Sequence, residues 1–210
     1  MSLNSEDKGR RKYILVQYPE IISEDGNKSN KEKKIAKEAI KFLKKENLDL
    51  KITEIGKERI RRAGDKIKTE TGAGIDYGFR VFKINDSNMV NSHQKPDAYA
   101  QDQLFQLHSN IKSGRTDEDL LFHTILALGL PLSLKITKNI QHGKRVFHVD
   151  DNALIACFSD DIPEVLIEAI AKEKPLKVVF KDSSFKRDDE RINVEESFKM
   201  FSPDTDIKIL

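Results

Sequence analysis

From Ala153 to the last residue the chain alternates two kinds of apolar pattern. Ala153–Phe158, Leu176–Phe180 and Asp206–Leu210 are short strand-like runs, and Ile162–Lys172 and Asn193–Phe201 between them repeat apolar residues at helical spacing. A strand–helix–strand–helix–strand order leaves few choices. Each helix serves as a crossover, a crossover joins parallel strands, and a parallel sheet needs cover on both faces. Upstream, the strand-like runs Leu132–Ile140, Lys144–Val149 and Ala153–Phe158 are separated by turn-rich Asn139–Gly143 and Asp150–Asn152. Connections that short fit hairpins, so these three read as an antiparallel meander. The expected fold class is α/β, with a mixed sheet that joins parallel β-α-β units to an antiparallel meander.

The N-terminal part carries a different signal. After Arg10–Lys12 comes an unbroken apolar run, Tyr13–Val16, closed by Gln17 and the turn Tyr18-Pro19-Glu20. A run of this kind suits a strand covered on both faces. Such a strand needs neighbours and none precedes it, so the chain reads as cut from something larger, with residues 1–9 a flexible start. A polar loop, Ile22–Asn30, leads to a helix over Lys31–Glu46, with Ile35, Ala39, Phe42 and Leu43 on one face and lysines over the rest. A second helix is expected over Glu54–Ile67, and an alternating strand over Asp76–Ile84. The polar stretch Ser87–Asp97 marks a boundary, giving expected segments 10–86, a linker 87–96 and a C-terminal mixed α/β domain over 97–210. Within the last, Leu104, Leu107, His108 and Ile111 are spaced for a helix over Asp97–Ile111. Thr116 with Asp119 opens another that runs to about Leu128, where Gly129 and Pro131 stop it.

Charge and cysteine content narrow the function classes. Charged residues make up 34% of the chain, yet 37 Lys+Arg against 35 Asp+Glu leaves a formal charge of only +2. That is not the strongly basic balance of a dedicated DNA-binding module. The lone cysteine, Cys157, lies in an apolar run and reads as a buried, inert thiol. No disulfide can form within the chain, which fits a reducing cytoplasm. The longest apolar stretch, Ile125–Leu134, is too short for a membrane span and is broken by Gly129 and Pro131.

Several residue groups invite a site. Ligands of open α/β sheets bind beyond the carboxyl ends of strands, which singles out Gln17, Tyr18 and Glu20. The second helix carries Lys57, Arg59, Arg61 and Arg62, cations that suit phosphates; Glu54 and Glu58 are interleaved and suit pairing with them. Gly72-Ala73-Gly74 lacks the strand–turn–helix context of a nucleotide loop and reads as a connector. His93, His108, His123, His142 and His148 show no ligand spacing, so no metal is expected. Asp160-Asp161 reads as a helix N-terminus and Asp182-Ser183-Ser184 as a turn.

Six pieces, in order and spacing, carry a resemblance: RRKYILVQYPE, TEIGKERIRRAG, DYGFRVFK, DEDLLF, LPLSLKI and PLKVVFKDSSF. Together, over about Asn4 to Leu210, they resemble the C-terminal part of the modification subunit of type III restriction–modification systems, adenine-specific DNA methyltransferases that use S-adenosylmethionine. The resemblance implies that the N-terminal part is the incomplete edge of a methyltransferase sheet. Gln17, Tyr18 and Glu20 would then approach the cofactor ribose in the intact protein, although many such enzymes carry an acid where Gln17 stands. Its implied partners are the remainder of the methyltransferase chain, a second modification subunit, a restriction subunit with helicase and nuclease activity, and DNA. The Asp-Pro-Pro-Tyr and Phe-x-Gly-x-Gly motifs of such enzymes do not occur here. No catalytic residue and no cofactor are therefore expected for this chain alone. Two other readings stay open: a stand-alone α/β binding or scaffolding protein, and a small nucleotide-binding enzyme using Gly72–Gly74.

Overall fold

A computed structural model describes residues 1–24, 29–90, 110–185 and 187–210. The expected helix over 97–111 lies almost entirely outside the described residues, as do His93, His108, most of the 87–96 linker and part of the 22–30 loop. The chain divides into two compact units, Met1–Lys83 and Ile84–Leu210.

The second unit is built on a five-stranded sheet in the order β1-β2-β3-β4-β5: Ile136–Gln141, Lys144–Val149, Leu154–Cys157, Lys177–Phe180 and Asp206–Ile209. β1, β2 and β3 pair antiparallel, and β3, β4 and β5 pair parallel. The mixed sheet is therefore the one the sequence pattern predicts. β1 begins at Ile136 rather than Leu132, because a turn closes over Pro131 to Leu134 (Leu134 N donates to Pro131 O, 3.2 Å). In the β1–β2 register Gln141 faces Lys144, which leaves a two-residue turn, His142-Gly143. Both residues have positive φ, 49° and 75°. That is the turn whose twist matches a hairpin, and glycine takes one of its left-handed positions without steric cost.

Alternation along the strands divides the core into two layers. On one face Val146, Ile155, Cys157, Val178 and Phe180 pack with Leu166, Ile167 and Ile170 of one helix and Val194 and Phe198 of another. These are the two crossover helices, Glu164–Lys172 and Asp188–Phe201. Successive crossovers that step the sheet in one direction place their helices on one face. On the other face Phe147, Val149, Leu154, Ala156, Phe158 and Val179 pack with Leu120, Leu121 and Ile125 of the helix Asp117–Ala127. β3 is buried at all four positions, which is why it reads as a continuous apolar run. The last crossover helix starts at Asp188, five residues before the expected Asn193. Its first residues are polar, and Val194 is the first buried position among those whose burial is described.

The helix Asp117–Ala127 opens with the capping box that Thr116 and Asp119 foreshadow: Asp119 N donates to Thr116 Oγ1 (3.2 Å) and Thr116 N to Asp119 Oδ2 (2.9 Å). The start of the expected linker is tied into the second unit, since Val90 N donates to Asn110 O and Lys112 N to Asn88 O.

The first unit is helical. Following the chain, α1 is Ser2–Asp7, α2 Asn30–Lys45 and α3 Ile52–Thr71, so that α4, α5 and α6 are the helices 117–127, 164–172 and 188–201. α1 lies within residues 1–9. The single-turn α1 is held by Arg11, whose guanidinium spans both Asp7 carboxylate oxygens (2.8 and 2.6 Å). α2 and α3 agree with the predicted helices to within a few residues. The two predicted strands of this unit, Tyr13–Gln17 and Asp76–Ile84, do not form. A strand exists only by sharing its backbone groups with a neighbour, and the described residues of this unit make one isolated bridge, Ile21 with Lys51. No sheet edge is therefore completed here. Ile14 and Val16 stand 90% and 93% exposed, and Leu15 and Tyr13 are exposed as well.

Candidate functional site

Each sequence candidate acquires a definite setting. Gln17, Tyr18 and Glu20 are exposed on a segment that is neither helix nor strand. Gln17 Nε2 donates to Tyr18 O (3.2 Å), Glu20 N donates to the same carbonyl (2.8 Å), and Glu20 O accepts from Ile52 N (3.0 Å). They offer one hydrogen-bonding edge.

The cations of α3 are largely committed. Lys57 Nζ lies 2.6 Å from Glu54 Oε1, with both side chains mostly buried. Glu58 accepts from Arg62 Nε at 2.7 Å and from Arg61 Nη1 at 3.4 Å. Arg62 also reaches Glu46 (3.5 Å) and lies over the Phe42 ring, 4.9 Å from its centre; Arg61 lies over Phe79. The Arg62 hydrogen bond, then that of Arg61, holds the Glu58 carboxyl below the usual range. Arg59 is exposed and has no ion-pair partner among the described residues. These four cations share one helix, but the geometry couples three of them to glutamates rather than leaving them open to a ligand.

Gly72 has φ of 60° and ends α3 in a left-handed cap, with its N–H on Lys68 O (3.0 Å). That explains the glycine as a helix stop. Cys157 is fully buried, and burial pushes its thiol up. Asp160-Asp161 does not cap α5, which starts at Glu164 after Pro163. Asp160 instead meets Lys181 Nζ (2.8 Å) and accepts from Ser183 Oγ (3.0 Å), while its carbonyl accepts from Lys144 Nζ (2.6 Å). The Lys181 ammonium, followed by the Ser183 hydroxyl, holds the Asp160 carboxyl below its ordinary range. This cluster closes the carboxyl ends of β3 and β4, and Asp182 adds an ion pair to Arg191 (3.1 Å). Lys144 and Lys181 escaped the sequence reading, because nothing in their spacing shows that two strand ends bring them to one aspartate.

Of the histidines, His142 shapes the hairpin turn and His148 pairs with Glu173 (Nε2 to Oε2, 2.9 Å), whose other oxygen accepts from Gln141 Nε2 (3.2 Å). Among the described residues no group of three or more His, Cys, Asp and Glu is placed to hold a metal ion. Among them, too, no helix is long and apolar enough to cross a membrane.

α2 is the element whose charge the sequence reading passed over. Its lysines are the largest group of cations without carboxylate partners among the described residues of the first unit. Their spacing was visible in the sequence; their lack of partners was not.

No protein-family model matches this chain, and no curated protein and no solved structure matches it.

Proposed function

We propose that this chain is the C-terminal part of a type III modification methyltransferase, adenine-specific and S-adenosylmethionine-dependent as a whole, and that this part serves subunit assembly or DNA engagement. The observation that carries the reading is the poverty of the first unit's core. Among its described residues only Ala36 and Leu43 are buried apolar side chains; all the others lie in the second unit. Burying one leucine fully is worth about 1.5–3 kcal/mol, whereas ordering each residue costs about 1–2 kcal/mol of backbone entropy. Meanwhile Tyr13–Val16, Tyr18, Ile21, Val81 and Phe82 remain exposed. Apolar residues in strand-like runs that their own unit does not cover are what a segment leaves when its sheet belongs to a larger core. The order of the six resembling pieces supplies the identity of that core.

On this reading the chemistry lies in the rest of the methyltransferase chain, with Gln17, Tyr18 and Glu20 meeting the cofactor ribose only once that chain is present. Partners are that chain, a second modification subunit, the restriction subunit and DNA, and the compartment is the cytoplasm. The test is complementation. The protein alone is expected to transfer no labelled methyl group to DNA. Mixed with a separately produced portion carrying the glycine loop and the Asp-Pro-Pro-Tyr motif, encoded upstream, it is expected to form a complex that methylates adenine. Absence of both motifs from the upstream reading frame, or failure to form any complex, sinks the reading.

A further inference from the structure

We infer that α2, rather than α3, is the helix that meets nucleic-acid phosphates. The inference rests on the DNA-engagement part of the reading above and moves it to different residues. Between Asn30 and Lys45 the sequence holds seven lysines and two glutamates, and Glu32 is occupied in the capping box with Ser29. Lys33, Lys34, Lys37, Lys41, Lys44 and Lys45 are all exposed, and none has a carboxylate partner among the described residues. At 3.6 residues per turn the six fall within about 120° of the helix circumference, on the side away from Ala36 and Leu43. From Lys33 to Lys45 the stripe runs about 18 Å, enough to lie along about five phosphates of one DNA strand.

The kind of partner follows from what the helix has already spent. A helix that binds a membrane surface inserts an apolar face while its lysines flank the headgroups. In α2 the apolar side is turned inward at Ala36 and Leu43, and Phe42 is covered by Arg62. What remains outward is almost entirely ammonium, with Ile35 the only large apolar side chain of α2 that is exposed. Lysine is a point charge and lacks the planar fork that reads guanine edges, so the stripe suits phosphates and not base sequence. Arg61 and Arg62 of α3 have the fork but hold Glu58 with it. α2 therefore binds duplex DNA without sequence preference, and supplies orientation and salt-dependent affinity.

The experiment measures binding of the full chain to two duplexes of unrelated sequence across a salt series. A variant with Lys33, Lys37, Lys41 and Lys44 all changed to Gln is compared with the same four changed to Arg and with Arg61→Ala/Arg62→Ala. Lys and Gln have similar helix propensity, so circular dichroism is expected to be unchanged. The expected result is equal affinity for both duplexes, a salt slope that falls by about two to four units in the Gln variant, and a normal slope in the other two. Four results overturn the inference: no binding of the wild type at low salt, an unchanged slope in the Gln variant, a slope lost only with the α3 arginines, or binding to phosphatidylserine vesicles but not to DNA. Complementation with the upstream portion is scored separately. Methylation without a slope change rejects this inference alone, and a slope change without complementation rejects only the methyltransferase reading.

Discussion

At the scale of single residues, charge is mostly spent locally. Asp7 is the clearest case: Arg11 holds it with two hydrogen bonds and Gly9 N–H adds a third, lowering its pKa to about 2. A carboxyl whose folded pKa is depressed contributes stability above its unfolded pKa and loses it as pH falls through the folded value. The contribution of Asp7 is therefore complete above about pH 4 and gone below about pH 2. Since the pair is exposed, the effect is confined to α1 and its junction with Arg11. A carboxyl-resolved NMR titration is expected to put the Asp7 midpoint near 2, and Arg11→Ala to return it to the ordinary aspartate range. An ordinary midpoint in the wild type removes this account of how the N-terminal turn is held.

Elements differ in how much of their stability is their own. α3 runs for twenty residues, Ile52–Thr71, without a side-chain N-cap, and it contains Gly56 and Gly64. Gly64 is buried, and a Cβ there would meet Met1 Sδ at 3.5 Å and Tyr77 O at 3.7 Å, ordinary contact distances. Around Gly56 a Cβ would meet nothing within 4 Å. Gly56→Ala then relieves only backbone entropy and is expected to stabilise by about 0.5–1 kcal/mol. The hairpin glycine behaves in the opposite way. Gly143 also has open space, but its φ of 75° strains any L side chain, and Gly143→Ala is expected to destabilise by about 1 kcal/mol. Urea unfolding of the two variants, followed by helix signal for the first and global signal for the second, tests whether the signs are opposed.

Across the whole molecule the two units carry very unequal cores. The second unit's two layers clamp the sheet between α5 and α6 on one face and α4 on the other. Leu43 is the only large apolar side chain fully buried among the described residues of the first unit. Leu43→Ala removes about 2–5 kcal/mol of burial and cavity energy, which is comparable to what so small a core can supply. Hydrogen exchange on this variant is expected to lose protection throughout α2 and α3 while β3 and β4 keep theirs. Equal loss in β3 and β4 contradicts separate cores. If the methyltransferase reading holds, the complementing portion restores the protection that Leu43→Ala removes.

The second unit was legible because its signals are local and self-sufficient. Alternation and helical spacing name its strands and helices, Thr116 and Asp119 name a cap, and short turns against crossovers decide antiparallel against parallel pairing. Each of these depends on residues a few positions apart. Only tertiary structure decided the rest, because the deciding partner is distant in sequence. Tyr13–Val16 has the pattern of a buried strand, yet a strand is a pairing, and the first unit offers it no ladder. Asp160 reads as a helix start until Lys181 and Ser183 arrive from just beyond the end of the neighbouring strand. The arginines of α3 and the lysines of α2 look alike as charges in a row. Glu58 within α3, Glu46 beyond the end of α2, and the ring of Phe42 occupy Arg61 and Arg62, whereas no carboxylate among the described residues occupies the α2 lysines.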